Sequence, residues 1–521
     1  MVTAKPPEIT EKADPRRWRA LTLLALVQFI IFLDATIVNV ALPSIQRDLG
    51  LSESTLTWVV SAYLITAGGL LLVGGRLADM FGRRRVFCLG AGLFAVASIT
   101  AGLAGNSGVL LTGRSLQGLA EALAAPAAMS MVALLFVDPK ERAKAFGIWG
   151  GLAGLGSAAG VLLSGVLTDL VSWRWVFLIN VPLALVPMLL LPKLADESRA
   201  PATGRRRPDL AGAVLVTGGL IAILNAILAA AREPFGSARV LVPLVIGVVA
   251  LIAFVVVETR VEQPLVPLRF FANRVRATAN VATVFIAASS AAVFFMVVLY
   301  GQNVLGYSPL RSGLAWLPFC VAFMPGLVLS TKLITKYGPR VALASGLAVS
   351  AIGVALFTRL SVDGSYLTEL LPAMVVTALG FGMTNPAMQN AAVHEVSEAD
   401  AGLGSGIVTT VLQMGGALGL TVFVAIALGH QGDRQAAGVT EQAAVTSGYT
   451  FAFMIAAIAL AVGAVATLLL LRGVRVAAPE TPPAPATPAQ PEGGTHDAVD
   501  SRGSRNGKVS DRELTGRRQR G

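Results

Sequence analysis

The sequence predicts an all-α integral membrane protein of fourteen transmembrane helices: two six-helix halves and an inserted two-helix hairpin. Three observations predict it. Apolar runs of about 20 residues recur fourteen times along the 521 residues, and a run of that length crosses the hydrocarbon core as a helix. The chain is 55% hydrophobic and only 14% charged, with a mean hydropathy of +0.70, whereas a soluble domain is about 25% charged. Finally, a short basic loop near residue 80 has a degenerate copy 256 residues further on.

Taken in order, residues 1–18 form a polar, basic tail. It has no apolar core and no small-residue cleavage site, so no removable signal peptide is expected. Apolar runs at about 19–43, 55–76, 85–105, 108–136, 143–168 and 173–192 supply six helices, within a first half spanning 19–193. Linkers and the hairpin occupy 194–275. This stretch holds Arg205, Arg206 and Arg207, then runs at 210–230 and 238–258, then Arg260, Arg269, Arg274 and Arg276. Six more runs, at about 277–302, 310–332, 340–359, 366–392, 401–428 and 449–471, make a second half over 276–471. Residues 472–521 contain a proline-rich stretch and mixed charge, with little to bury, and are expected to be a disordered tail.

The loop Gly74-Gly75-Arg76-Leu77-Ala78-Asp79-Met80-Phe81-Gly82-Arg83-Arg84-Arg85 sets the orientation. Short loops rich in Lys and Arg face the cytoplasm. With the N-terminus inside, the cytoplasmic loops collect about 19 Lys and Arg and the external loops about 7. The even helix number puts both termini in the cytoplasm, and the cytoplasmic (inner) membrane is the expected location. The formal charge of +11 therefore reflects topology, and no nucleic-acid partner is expected. The lipid bilayer is the expected surrounding and a monomer the expected state. Cys88 and Cys320 both lie within apolar runs and imply no disulfide framework. No phosphate-binding loop, metal-ligand cluster or nucleophile arrangement appears, and His394, His430 and His496 fall near loops or in the tail. No metal, no cofactor and no enzymatic activity are expected.

The copy of the loop is Lys332-Leu333-Ile334-Thr335-Lys336-Tyr337-Gly338-Pro339-Arg340. At the same offset, Leu49-Gly50-Leu51-Ser52 aligns with Leu305-Gly306-Tyr307-Ser308. Two matches at one offset argue for related halves, an organisation common in secondary transporters, with the substrate site between the halves.

Residues 75–84 resemble the loop motif between helices 2 and 3 of the major facilitator superfamily. Leu33-Asp34-Ala35-Thr36-Ile37-Val38-Asn39-Val40-Ala41-Leu42-Pro43 resembles the helix-1 motif of its fourteen-helix drug:proton antiporters, the EmrB/QacA-like branch. Arg114-Ser115-Leu116-Gln117-Gly118 and Trp173-Arg174-Trp175-Val176-Phe177-Leu178-Ile179-Asn180-Val181-Pro182 resemble motifs of helix 4 and of the approach to helix 6. The resemblance covers about 18–471. It implies the major facilitator fold and export of a small, lipophilic or cationic drug or natural product in exchange for protons. An importer or an osmolyte or metabolite carrier of the same fold is the alternative. One position departs: the glycine-rich stretch of helix 5 has Val161 where the antiporter motif has proline.

Ionisable residues inside a membrane are costly and mark function. Asp34, Arg114 and Glu121 stand out. At 1.5 Å per residue, Asp34 on helix 1 and Arg114 on the oppositely directed helix 4 reach similar depth, so they can pair. Arg114, Gln117 and Glu121 share one helix face. Asp34 is expected to exchange the proton, Arg114 to modulate it, and Glu121 to bind a second proton or a cationic substrate. The alternative for each is a permanent structural contact. The second half offers Asn280, Tyr300, Asn385, Gln389, Asn390, Gln413, Phe294 and Phe381. The resemblance places helices 9 and 12 along the substrate cavity, lined by Gln117, Asn280, Tyr300, Asn385, Gln389 and Phe381. Gly150, Gly154, Gly156 and Gly160 are expected to allow close helix packing. Gly75, Asp79, Gly82, Arg83 and Arg84 form a gating loop, in which Asp79 is expected to dock on the positive N-terminus of helix 13, near Ala401.

Overall fold

The structure is a computed structural model. It describes residues 15–136, 138–199, 209–231, 233–261, 264–392, 394–396 and 401–471. Most of the N-terminal tail, Arg205 to Arg207 and the tail from 472 lie outside the described residues. Fourteen helices are long and apolar enough to cross a membrane: α1 (Arg17–Leu49), α2 (Glu53–Phe81), α3 (Arg83–Gly102), α4 (Ser107–Leu135), α5 (Lys140–Leu170), α6 (Trp175–Lys193), α7 (Leu210–Ala230), α8 (Ala238–Arg260), α9 (Arg274–Val304), α10 (Pro309–Tyr337), α11 (Pro339–Arg359), α12 (Tyr366–Ala392), α13 (Leu403–Ala436) and α14 (Glu441–Leu470). No strand occurs among the described residues.

The breaks between helices follow from a few residues. α2 and α3 are separated by Gly82 alone, at φ +110°, and α10 and α11 by Gly338 alone, at φ +82°. A residue with a Cβ is strained there, so each copy of the loop uses glycine to turn the chain in one step. At the other end of the bundle, α1 closes on Gly50 (φ +61°), and Ser52 then caps α2 by accepting from the Thr55 N–H. The chain likewise turns through Gly306 (φ +66°), and Ser308 caps α10 by accepting from the Arg311 N–H. Both copies of the Leu-Gly-x-Ser echo thus have the same backbone solution: a left-handed glycine followed by a serine N-cap.

The end bearing Gly82 and Gly338 is the loop end; the opposite one is the far end. At the far end a single hydrophobic core joins the halves, with Leu42 and Ile45 of α1, Leu56 of α2, Val298 of α9, Trp316 of α10 and Phe453 of α14. At the loop end the first half has a core of its own, built from Leu21, Leu24, Val86, Phe87 and Met131. Direct backbone approaches close the far end. A Cβ on Gly165 of α5 would lie 2.9 Å from the Pro309 carbonyl oxygen, and one on Gly313 would lie 2.8 Å from the Val161 carbonyl oxygen. Gln302 donates to the Val40 carbonyl at 2.8 Å. Val161, in place of the expected proline, sits in an uninterrupted helix whose carbonyl is where α10 crosses.

The glycines of α5 divide into two groups. Gly156 and Gly160 lie against the backbone of α1, where a Cβ would meet the Phe29 and Leu33 carbonyl oxygens, each at 2.6 Å. Gly154 meets only the flexible end of Met324. Gly150 faces open space, so the packing role expected for it is withdrawn: its i,i+4 spacing is regular, but no neighbour stands on its side. The hairpin α7–α8 lies along the seam between halves. Leu220 and Leu224 of α7 pack with Ile65 of α2 and Ala417 of α13, while the outer face of α8 is exposed and apolar, as lipid contact requires.

Two substitutions test this packing. Gly160→Leu is expected to cost about 1–3 kcal/mol by overpacking, and Gly150→Leu to be neutral. Thermal unfolding of the purified protein, followed by tryptophan fluorescence, reads the difference.

Candidate functional site

The buried polar centre lies in the first half. Asp34 sits at the middle of α1 and is fully buried. Thr36, two residues on, donates to the Ser157 carbonyl and ties this stretch of α1 to α5. Arg114 and Gln117 come from α4, and Asn180 from α6. The approach to α6 is fixed at the far end, where the Trp173 indole N–H and the Arg174 guanidinium both donate to Asp48, at 2.9 and 2.8 Å. That anchor carries Asn180 to the depth of Asp34.

The carboxylate is saturated with donors. Asp34 Oδ2 accepts from Arg114 at 2.6 Å; Oδ1 accepts from Gln117 Nε2 at 2.9 Å and from Asn180 Nδ2 at 2.7 Å. Arg114 also donates to the Gln117 side-chain oxygen at 2.8 Å and, through Nε, to the Val59 carbonyl at 2.9 Å. Gln117 donates to Ser98 at 3.0 Å. The guanidinium lies 4.4 Å from the Tyr63 ring centroid, a cation–π contact in a desolvated setting. Breaking such a pair strands a buried charge, which costs about 3–5 kcal/mol.

Glu121 lies one turn beyond Gln117 and is also buried, but it is only half satisfied. Its Oε1 accepts from Gln413 of α13 at 3.0 Å, a bond that crosses between halves. Its Oε2 and the Tyr63 hydroxyl both lack a partner at hydrogen-bond geometry, although the two groups lie close enough to interact. One oxygen of Glu121 is thus without a partner at hydrogen-bond geometry, whereas both oxygens of Asp34 are bonded.

The second-half residues expected along the cavity separate. Asn385 and Gln389 are exposed on one face of α12, near its loop end; Asn390 is exposed as well. Polar groups exposed within a span imply water beside them. Phe381, one turn deeper, is buried and stands edge-on to Phe319 at 6.3 Å. Asn280 is buried and donates back to the Arg276 carbonyl one turn earlier. Tyr300 is fully buried at the far end of α9, where its hydroxyl donates to the Ser361 carbonyl at 2.5 Å. That is a packing position within the second half, so Tyr300 is removed from the cavity lining. Its place near the end of a span, not its residue type, was the informative feature.

The loop at 75–84 also differs from expectation. A Cβ on Gly75 would come into ordinary contact with Pro126. Asp79 pairs with Arg83 one turn on, at 2.7 Å, rather than with the start of α13; residues 397–400, immediately before that helix, lie outside the described residues. The acid that docks on a helix N-terminus is Glu197, from the stretch after α6. Its two carboxylate oxygens accept from the Arg84 and Arg85 backbone N–H groups at 3.1 and 3.2 Å. The Arg83 N–H goes to the Ser198 carbonyl, and the Arg84 side chain donates to the Ala195 carbonyl. Gly82 leaves the room: a Cβ there would lie 2.5 Å from Glu197 Oε1. The start of α3 is thus capped by the linker that follows the first half.

Two bundles joined at one end, a crossing hairpin, and a buried ion pair beside a seam define a secondary carrier of the membrane-spanning, two-half class. The chain belongs to the major facilitator superfamily, whose profile matches residues 24–420. It is 40% identical over 455 residues to the puromycin resistance protein of Streptomyces alboniger, covering 86% of this chain and 89% of that protein. It is 40% identical over 479 residues to the lincomycin resistance protein of Streptomyces lincolnensis, covering 89% and 93%. Among solved structures, a bacterial homolog of the human lysosomal transporter Spinster, in an inward-facing and occupied conformation, superposes with a TM-score of 0.63. The identity is 17%, over 88% of this chain and 97% of that one, a likeness of fold.

Glu197→Ala should expose the start of α3. Loss of a helix N-cap costs about 0.5–2 kcal/mol, so the Arg84 and Arg85 amides are expected to exchange hydrogen several-fold faster, with α9 to α14 unaffected. Hydrogen–deuterium exchange with mass spectrometry checks this.

Proposed function

We propose that this protein exports small, lipophilic or cationic natural products or drugs across the cytoplasmic membrane in exchange for protons. The observation that carries the reading is a buried carboxylate, Asp34, held by Arg114, Gln117 and Asn180 in a chain 40% identical to two antibiotic resistance proteins. Asp34 takes up the proton. When it is neutral, Arg114 and Gln117 lose the anion that orients them, and α1, α4 and α6 lose their common tie. That local change biases which side of the bundle is closed, as alternating access requires.

The distribution of basic loops supports a cytoplasmic loop end and cytoplasmic termini. The joined core at the far end then corresponds to a state closed to the outside. Substrate enters between the halves from the loop end, passing Asn385 and Gln389, and reaches the seam at Glu121. A cationic substrate is met there by the free Oε2 of Glu121, with Gln413 holding the other oxygen. Lipophilic parts of the substrate face apolar helix surfaces, where few polar groups discriminate shape. The protein acts as a monomer.

Everted membrane vesicles energised with a proton gradient test the coupling. Asp34→Asn is expected to lower gradient-driven accumulation of puromycin or lincomycin, whichever the wild type carries, by a factor of at least about ten, the loss expected when the group that carries the coupling is removed. Full proton-driven accumulation by Asp34→Asn would sink the assignment. Direction is read in a drug-sensitive host: an exporter raises the inhibitory concentration, and an importer lowers it.

A further inference from the structure

The inserted hairpin carries two acids that the transport site does not use. Asp209 immediately precedes α7 and caps it, its Oδ1 accepting from the Gly212 N–H at 2.8 Å. Glu258 lies in the last turn of α8, and its Oε2 accepts from the Val266 N–H at 3.2 Å. Both side chains are buried, with Asp209 7% and Glu258 4% exposed. Each has one oxygen left over: Asp209 Oδ2 and Glu258 Oε1 have no hydrogen-bond partner.

The two unpartnered oxygens converge. A Cβ built on Gly212 would lie 2.6 Å from Asp209 Oδ2 and 3.2 Å from Glu258 Oε1, so the sum of those distances is the widest their separation can be. Gly212 is the residue that leaves this space open. Among the described residues no cation answers them. Arg76 and Asp79 of α2 and Arg260 of α8 belong to the surrounding elements, yet neither buried acid makes an ion pair among the described residues. The stretch 264–267 carries no charged residue, and α13 carries none before Asp433.

Two carboxylates that face one another in a buried site with no cation among the described residues cannot both stay ionised cheaply. One proton resolves the conflict. The O–H of one acid donates to the free oxygen of the other, both orphan atoms gain a partner, and the single remaining negative charge sits at the N-terminus of α7, where the helix dipole favours it. A hard metal cation is a poorer match, since it takes six or more oxygen ligands and only two free carboxylate oxygens converge here.

We propose that Asp209 and Glu258 form a proton-binding site, an acid–carboxylate pair that shares one proton at the loop end of the hairpin. The pair ties the start of α7 to the end of α8 where Ala213 of α7 packs on Val73 of α2 and Leu265 of the following linker. Loss of the proton places two like charges together and loosens that end of the hairpin from the seam. The site is separate from Asp34 and stands whether or not Asp34 carries the transported proton.

Dicyclohexylcarbodiimide, which modifies protonated carboxylic acids in apolar surroundings, tests the pair in the full-length wild-type protein without any substitution. Mass spectrometry is expected to find an adduct on Asp209 or Glu258 that decreases as pH rises. Asp209→Asn is expected to cut labelling of Glu258 by about tenfold at the same pH, because the amide donates in place of the shared proton and leaves Glu258 ionised. Three outcomes overturn the proposal: no adduct on either residue at any pH, an adduct that Asp209→Asn leaves undiminished, or an adduct blocked by added sodium or magnesium at constant pH. The last outcome would assign the site to a metal ion.

Discussion

A carboxylate at the middle of a membrane-spanning helix has to be answered, and the first half is arranged around that requirement. Asp34 draws Arg114 and Gln117 from α4 and Asn180 from α6 onto α1. Arg114 in turn reaches the Val59 carbonyl and the Tyr63 ring on α2, and Gln117 reaches Ser98 on α3. Five helices therefore meet at one charge. Both oxygens of the Asp34 carboxylate are held by donors in this network, while Asn180 Oδ1 keeps no partner of its own.

The seam between halves uses a different physics. Glycines at Gly165 and Gly313 bring backbones together at the far end, and apolar side chains of both halves form one core there. Polar contacts across the seam include Gln302 to the Val40 carbonyl and Gln413 to Glu121. Packing of small residues can be parted and remade with little cost in unsatisfied polar groups. The α7–α8 hairpin braces this seam by touching one helix of each half, and its buried acids give that brace a chemistry of its own.

Much of the fold was legible before any coordinates. Fourteen apolar runs became fourteen helices, and the two echoes at an offset of 256 residues became matching glycine turns, because a left-handed turn leaves a glycine in the sequence. Asp34 and Arg114 were legible for the same kind of reason, since a charge within an apolar run is conspicuous. Asn180 and Ser98 were not, because neutral polar residues are ordinary in membrane helices. Glu197, Asp209 and Glu258 stand at the ends of runs, where acids are ordinary too, and nothing in their neighbourhood announces that the chain folds back over them. Gly150 and Tyr300 were misjudged because residue type and spacing do not say which side of a helix has a neighbour.

By itself, the sequence determined the membrane as solvent, the number of the helices, the repeat, and the residues too costly to bury without purpose. Hydropathy and charge are properties of the chain, and a bilayer reads them one helix at a time. Only the tertiary structure decided the partners: that three donors saturate Asp34, that Glu121 keeps a free oxygen at the seam, that Glu197 and not Asp79 caps a helix, and that Asp209 meets Glu258. Those outcomes depend on which helix faces turn toward one another, and that is settled by packing between segments far apart in the chain.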